Sequence, residues 1–430
     1  MTNPASPPPL VRALGRWTMV ALVINAVLGS AIFGLPGSIV KLVGAAAPLA
    51  YLLSAAAMLV FIAVFAELSS QFSEPGGPYL YAREAFGRFW GIEMGWFIWL
   101  VRLTAAAANA NLFVIYLGEF WPAATSPLPR ALVLAALLGG LMLVNYRGVS
   151  GAARLSNVFT AAKLLPLALL AVAGFALTPS APVAPVPEPA GTKWLGAFLI
   201  LLFTYGGFET ALIPAGECRD ARRDLPFALG VGLAVITAIY VLLQIVAMRA
   251  VPNLADSARP LADAARALIG PPGAAFIALG AMISTSGYLS AQLLAVPRLT
   301  MALAQRGDFP APLGAVHPVH RTPHLSILAW GALACGLALY GSFTWNVALY
   351  GAARLLTYGL SCAALLKLRR ARPDAPALRI PAGNALAVLG LVLCLLMAQA
   401  MELSHLWAIA LVAAVAATNW FFVRRPGPGR

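Results

Sequence analysis

Two apolar segments long enough to cross a membrane are each interrupted near the middle by small and helix-breaking residues. The first interruption reads Gly29-Ser30-Ala31-Ile32-Phe33-Gly34-Leu35-Pro36-Gly37, and the second reads Phe203-Thr204-Tyr205-Gly206-Gly207-Phe208-Glu209. In hydrocarbon an unpaired backbone amide or carbonyl costs several kcal/mol, so such breaks persist only where the freed groups face a cavity or a ligand. Two breaks of this kind are typical of a transporter site.

The freed backbone groups at the two breaks have opposite polarity. A half-helix that begins after Gly29–Ala31 directs free amides and the positive end of its dipole into the break, which suits a carboxylate. Carbonyls at Tyr205–Gly207 can accept hydrogen bonds from an ammonium group. Together they favour a zwitterion, although close helix packing is the alternative reason for glycines here. The predicted substrate contacts are Gly29, Ser30, Ala31, Phe203, Tyr205, Gly206, Gly207 and Phe208.

Charged residues inside the apolar segments are the next candidates, because each costs at least ~2.5 kcal/mol at the centre of a bilayer. Glu209 lies in the second break, where it either picks up a proton or caps freed amides; both readings stay open. Glu67 lies near a segment end and is expected to reach the interface or to pair. Arg354 is expected to join a structural or gating ion pair. The other two such charges are Arg102 and Lys163.

The composition requires a membrane protein to position these residues. The chain is 61% hydrophobic and 10% charged over 430 residues, a balance that a water-soluble fold cannot bury. At about 20 residues a crossing, we predict an all-α polytopic membrane protein with twelve transmembrane helices. They are expected near residues 17–44, 47–70, 89–118, 131–146, 153–177, 194–216, 226–248, 272–303, 325–341, 344–366, 384–400 and 403–423.

The net charge of +14 reflects topology rather than a nucleic-acid partner. With both termini cytoplasmic, most Lys and Arg fall in cytoplasmic segments, as expected for a multi-pass protein of the inner or plasma membrane. No segment between helices is long enough for a soluble domain. The predicted organisation is a tail (1–16), helices one to five (17–177), an external loop (178–193), helices six to ten (194–368), a cytoplasmic link (369–383), helices eleven and twelve (384–423) and a tail (424–430).

Four motifs in order resemble those of the amino acid permeases in the amino acid/polyamine/organocation superfamily, and the resemblance covers nearly the whole chain. The motifs are Gly29-Ser30-Ala31-Ile32-Phe33, then Ser73-Glu74-Pro75-Gly76-Gly77-Pro78-Tyr79, then Tyr205-Gly206-Gly207-Phe208-Glu209 with Arg222-Arg223-Asp224-Leu225-Pro226, and finally Arg306-Gly307-Asp308-Phe309-Pro310. The sequence departs from the family at Ala31, where a second glycine is usual. The added methyl group would tighten the pocket or change how a carboxylate sits.

The resemblance implies a LeuT-type fold, in which helices one to five and six to ten form inverted repeats and two helices are added at the end. It places Phe203 where an aromatic gate closes over the substrate, with simple packing as the alternative. It places Lys163 where an amine replaces a sodium ion, which argues against sodium coupling at that position; a purely structural ammonium is the alternative.

The resemblance also implies that the third helix lines the pocket for the substrate side chain. Arg102 and Asn109 share one face of that helix with Ala105 and Ala106. Arg102 either contacts an acidic or polar substrate side chain or pairs with Glu209, and we favour the pairing. Ser284, Tyr288 and Gln292, at positions i, i+4 and i+8 of the eighth helix, either line the pathway or pack with hydrogen bonds.

These observations predict a secondary amino acid transporter that works by alternating access, coupled to protons and independent of sodium, with Glu209 and Lys163 as coupling residues. An amino acid or amino acid/polyamine exchanger is the alternative, and a non-transporting sensor is a remote one. We predict neither an enzyme nor a cofactor or metal site, because three of the four histidines lie in one Pro-rich loop. The expected partners are an amino acid, protons and lipid; oligomeric state and substrate identity stay open.

Overall fold

The computed structural model describes residues 15–72, 76–148, 152–177, 193–211, 221–372 and 378–423, with side chains except at 152–164, 210–211 and 221–222. Within these ranges the chain forms helices and no strand. The helices are α1 (Arg16–Val27), α2 (Ala31–Gly34), α3 (Pro36–Val43), α4 (Ala47–Ser70), α5 (Gly77–Phe86), α6 (Arg88–Leu117), α7 (Pro127–Arg147), α8 (Ala152–Leu177), α9 (Trp194–Tyr205), α10 (Phe208–Ala211), α11 (Ala221–Ala250), α12 (Pro260–Ile269), α13 (Pro271–Gln305), α14 (His324–Tyr340), α15 (Phe343–Ala371), α16 (Gly383–Ala398) and α17 (Leu403–Val423).

The lengths and composition of these helices confirm a multi-pass membrane protein. In the described residues, eight helical segments are long and apolar enough to cross a bilayer, and four further apolar helices have 10–17 residues. Large apolar side chains such as Leu128, Leu395 and Trp407 are 69–70% exposed on the outer surface, as lipid-facing residues are. The count of twelve crossings and the inverted repeat stay predictions.

Both predicted breaks are present. The helix α1 ends at Val27 and α2 begins at Ala31, while α9 ends at Tyr205 and α10 begins at Phe208. The two breaks touch, because a Cβ atom on Gly207 would lie 2.5 Å from the carbonyl oxygen of Ala26. Gly207 also has a φ of +110°, which side-chain-bearing residues rarely adopt. Glycine is therefore needed here for both space and backbone conformation.

Tyrosine hydroxyls on neighbouring helices hold the broken segments from behind. The hydroxyl of Tyr240 on α11 lies 3.2 Å from the carbonyl oxygens of both Val27 and Thr204. Having one hydrogen, it donates to one of them at a time. Tyr205 donates to the carbonyl oxygen of Tyr51 on α4 at 2.9 Å. These contacts bring carbonyl groups near both breaks into a buried polar layer.

On the opposite side of the breaks, α6 packs against both α13 and α15. Small residues allow this close approach: Ala105, Ala106 and Ala108 on α6 are at most 1% exposed. The helix α15 also contacts α9, which carries the second break. The broken segments and these three long helices therefore surround a common space.

Candidate functional site

A cavity of about 550 Å³ lies between the two breaks and the helices α6, α13 and α15. This volume is within the range of small-molecule sites in proteins. Twelve of the residues predicted as substrate contacts or pathway candidates line it, and they come from both breaks, α6 and α13. They are Gly29, Ser30, Ala31, Arg102, Ala105, Asn109, Phe203, Gly206, Gly207, Ser284, Tyr288 and Gln292.

Four other predicted residues lie away from the cavity wall. Tyr205 turns toward α4, as its hydrogen bond to Tyr51 shows, and Phe208 packs against Phe65 at a ring-centroid distance of 5.6 Å. Ala106 joins the apolar cluster of α6 with α7 and α14, because the cavity face of α6 runs through Arg102, Ala105 and Asn109 instead. Glu209, the fourth, lies behind the wall in an ion pair.

The partner of Glu209 is Arg354 on α15, which corrects the predicted pairing of Glu209 with Arg102. Arg354 Nη1 donates to Glu209 Oε1 at 2.6 Å, and the two side chains are only 8% and 9% exposed. Tyr358 donates to the same oxygen at 2.8 Å, and the amide of Gly207 donates to Oε2 at 3.0 Å. The carboxylate thus caps the second break, as one sequence-based reading predicted, and accepts from three donors.

Arg354 is held on its other side as well. Its Nε donates to the hydroxyl of Tyr350 at 2.9 Å, and its guanidinium lies 5.0 Å and 5.4 Å from the ring centroids of Tyr350 and Tyr358. The expectation that Arg354 belongs to an ion pair is confirmed. Because Arg354 also lines the cavity, the pair connects the wall of the cavity to the second break.

Arg102 has no such partner. It lines the same cavity, yet among the residues that the structure describes it makes no hydrogen bond and no ion pair. Of the two guanidinium groups on the wall, one is therefore neutralised by a carboxylate and the other is not.

Two buried amide side chains on the wall carry oxygens without a hydrogen-bond donor. Asn109 donates its amide hydrogen to the carbonyl oxygen of Ala105 at 2.8 Å, which leaves its Oδ1 without a partner. The Oε1 of Gln292 on α13 is also unpartnered, and the two residues are 1% and 8% exposed. A buried acceptor without a hydrogen-bond donor costs free energy. A ligand that donates a hydrogen bond to either oxygen would therefore be favoured.

Among the described residues, the cavity lining extends along α13 toward one end of the bundle. The lining on α13 runs from Ser284 to Leu299, about 22 Å at the helical rise of 1.5 Å per residue. In the other direction Tyr116 donates to the carbonyl oxygen of Phe33 at 2.6 Å. Beyond that contact, Glu119 pairs with Arg259 at 3.4 Å and also with Arg266. These contacts close the cavity on the side of α2 and α3.

Phe203 lies on the cavity wall, and its ring meets those of Tyr350 and Phe343 edge to face at 5.0 Å and 6.5 Å. It therefore lies at the edge of the cavity beside Phe343, which packs over Gly34 on the closed side. Lys163 lies in α8, where the side chains of residues 152–164 are outside the described part of the chain. Its predicted role stays a prediction.

Sequence analysis missed a second buried carboxylate cluster, although it quoted both motifs that form it. Asp308, 1% exposed, accepts from Arg88 Nε at 2.7 Å and from the hydroxyl of Tyr79, and Arg83 lies 3.6 Å away. This cluster joins α5 to the segment after α13. In the sequence, the signal for this cluster was a single acidic residue, Asp308, that is followed directly by apolar residues in a loop.

Glu67 was expected to reach the interface or to pair. It pairs with Arg369, whose Nε and Nη2 donate to the two carboxylate oxygens at 2.6 Å and 2.7 Å.

Comparisons with known proteins agree with the architecture. The family model described as amino acid permease matches residues 14–423. The serine/threonine exchanger SteT of Bacillus subtilis is 30% identical over 335 residues, which are 76% of this chain and 76% of SteT. Uncharacterised transporters of Mycobacterium bovis and Mycobacterium tuberculosis are each 28% identical over 415 residues, covering 95% of this chain and 90% of theirs.

Proposed function

Because the chain belongs to the amino acid permease family, we propose that it carries amino acids across the membrane by exposing one cavity to each side in turn. The observation that carries the proposal is the cavity at the two touching breaks. A cavity that extends toward one face and is closed over on the other is what one state of such a cycle requires.

In this proposal the zwitterionic part of the substrate binds at the breaks. The backbone of Gly29–Ala31 at the start of α2, with the hydroxyl of Ser30, binds the carboxylate. The ammonium group binds at carbonyl groups beside Gly206 and Gly207 or at the unpartnered oxygens of the wall. The methyl group of Ala31, which lines the cavity, narrows the space for the carboxylate where the family's second glycine would leave it open.

Exchange of one amino acid for another is the coupling mode that the site supports better. One of the two sequence-based readings has Glu209 pick up a proton, but its carboxylate accepts from three donors and would first have to lose Arg354. The name of SteT as an exchanger points the same way. Proton symport through Glu209 is the second candidate, since a carboxylate in the break would couple directly to substrate binding. Sodium independence rests on Lys163, as the sequence predicts.

We also propose cytoplasmic termini, on the positive-inside distribution of Lys and Arg. With that orientation the cavity extends toward the cytoplasm, so the described conformation faces inward. Closure of the cytoplasmic half would then involve α1, which carries Asn25–Val27 on the wall, and the loop that holds Asp308. Phe203 is the proposed aromatic gate.

The test is uptake of a panel of radiolabelled amino acids into proteoliposomes under three conditions. These are an internal load of the same amino acid, an inward proton gradient, and replacement of sodium by choline. We expect uptake that needs the internal load and does not need sodium. Accumulation driven by the proton gradient without a load would instead establish symport. The absence of flux for every amino acid under all conditions would contradict the transport function.

Variants at the breaks test the site itself. Ser30→Ala, Phe203→Ala and Glu209→Gln are expected to abolish or alter uptake while the protein still inserts and purifies. Arg298→Gln is the control, because Arg298 contacts only the carbonyl oxygen of Leu294 on its own helix in the described structure and does not line the cavity. Normal transport by all three variants would exclude this site model.

A further inference from the structure

We propose that Arg102 selects amino acids with an anionic side chain, such as aspartate and glutamate. The inference rests on the proposed transport function and adds the substrate class. It departs from the neutral substrates in the name of SteT, a protein that is 30% identical to this chain.

The charge of the cavity wall carries the inference. The wall includes two ionic side chains, Arg102 and Arg354, and no carboxylate among its described lining residues. Glu209 neutralises Arg354 from behind the wall at 2.6 Å. Among the described lining residues, Arg102 is thus the one charge that no carboxylate balances.

An uncompensated guanidinium at mid-membrane depth is costly, and its attraction for an anion is stronger in a cavity lined by protein than in bulk water. A neutral amino acid is a zwitterion and brings no net charge to Arg102. An acidic amino acid brings one net negative charge, which neutralises the wall. The planar guanidinium also offers paired donors that match a carboxylate.

Arg102 and Asn109 lie at different levels of the cavity wall on α6. Asn109 lies seven residues, or about 10.5 Å of helix, beyond Arg102 on the same face. Arg102 is at the level of Tyr350 on α15 and Tyr288 on α13, with which Val101 and Ala105 pack in one cluster. The unpartnered Oδ1 of Asn109 lies toward the closed end, where Tyr116, about two turns further on, contacts Phe33 after the first break. In the proposal Arg102 binds the side-chain carboxylate of the substrate, and the breaks bind its α-amino and α-carboxylate groups.

The experiment is competition in the exchange assay, with glutamate against glutamine and aspartate against asparagine as isosteric pairs. Wild-type protein should prefer the acid by at least about 30-fold, the effect expected when one partner of a buried charge pair is missing. In Arg102→Gln the preference should fall below about threefold, and glutamine exchange should continue. Arg102→Lys should keep part of the acid preference, and Arg298→Gln should keep all of it.

Several results would overturn the inference. One is exchange of neutral amino acids by wild-type protein with no competition from acidic ones, which needs no variant to fold. Another is an acid preference that survives in Arg102→Gln. Equal loss of glutamate and glutamine exchange in a folded Arg102→Gln protein would assign Arg102 to the α-carboxylate instead. If no amino acid of any class exchanges or thermally stabilises the wild-type protein, the transport function itself fails, which separates the two tests.

Discussion

The two arginines of the cavity wall differ in what surrounds them. Arg354 is 8% exposed, pairs with Glu209 and contacts two tyrosines, whereas Arg102 has no ion-pair partner among the described residues. A buried charge that has lost its partner is strongly destabilising. We conclude that Arg354 maintains the structure of the second break, while Arg102 is left available for a ligand.

The sharpest way to break this comparison is to remove Arg354. Arg354→Gln leaves Glu209 buried without its cation, and we expect the free energy of unfolding to fall by about 3–5 kcal/mol. Glu84→Gln is the matched control, because its partner Arg372 lies 2.7 Å away but both side chains are 37–43% exposed. Such an exposed pair contributes about 0–1 kcal/mol. Equal unfolding transitions of the two variants in detergent would contradict the structural role of Arg354.

The break can be perturbed without changing any charge. Gly207→Ala keeps the amide that donates to Glu209, but it places a Cβ atom 2.5 Å from the oxygen of Ala26 at a φ of +110°. We expect a loss of about 3 kcal/mol of stability together with a loss of transport. Gly230→Ala on α11, where a Cβ atom meets nothing within 4 Å, should leave both unchanged or gain slightly in stability.

Removing one hydrogen-bond donor to Glu209 should lower the free energy of unfolding by less than removing Arg354. Tyr358→Phe deletes the 2.8 Å hydrogen bond to Glu209 and retains the ion pair and the ring. A hydrogen bond to a charged group contributes about 1.5–3 kcal/mol, and thermal unfolding should report a shift of that order. An exposed tyrosine, Tyr340, provides the control as Tyr340→Phe. A Tyr358→Phe protein as stable as this control would show that Glu209 does not depend on the hydroxyl.

The smallest effect on stability is expected at Arg102. Arg102→Gln removes no ion pair or hydrogen bond that the structure describes and takes away an uncompensated charge, so the free energy of unfolding should not fall. Its effect should instead appear in substrate preference. Destabilisation as large as that of Arg354→Gln would mean that Arg102 has a structural partner and would remove the difference between the two arginines.

The sequence predicts the parts of this fold that depend on local chemistry. Glycine and proline inside an apolar segment indicate a helix break from the local sequence alone. Both breaks were therefore predicted, and the structure confirms them. The apolar composition likewise determined the all-helical membrane class. Ser30, Phe203 and Ser284 were predicted at the site from the breaks, the family resemblance and helical spacing, and they line the cavity.

The sequence did not predict features that depend on how helices far apart in the chain are rotated against one another. Glu209 and Arg354 are 145 residues apart in the chain, and nothing local indicates that α15 rather than α6 supplies the cation. Ala106 was predicted on the cavity face because it follows Arg102 by one turn, but the packing of α6 on α7 and α14 turns it away. Tyr205 similarly belongs to the break and yet points toward α4.

Blocking the cavity tests the central claim most directly, namely that this space at the two breaks is the transport pathway. Ala291 on α13 lines it, and Ala291→Trp would fill part of its 550 Å³. Ala332→Trp, at an exposed position of α14, adds the same side chain outside the cavity. Amino acid exchange should be lost in Ala291→Trp and retained in Ala332→Trp, with both proteins folded. Exchange at the wild-type rate by Ala291→Trp would contradict the account.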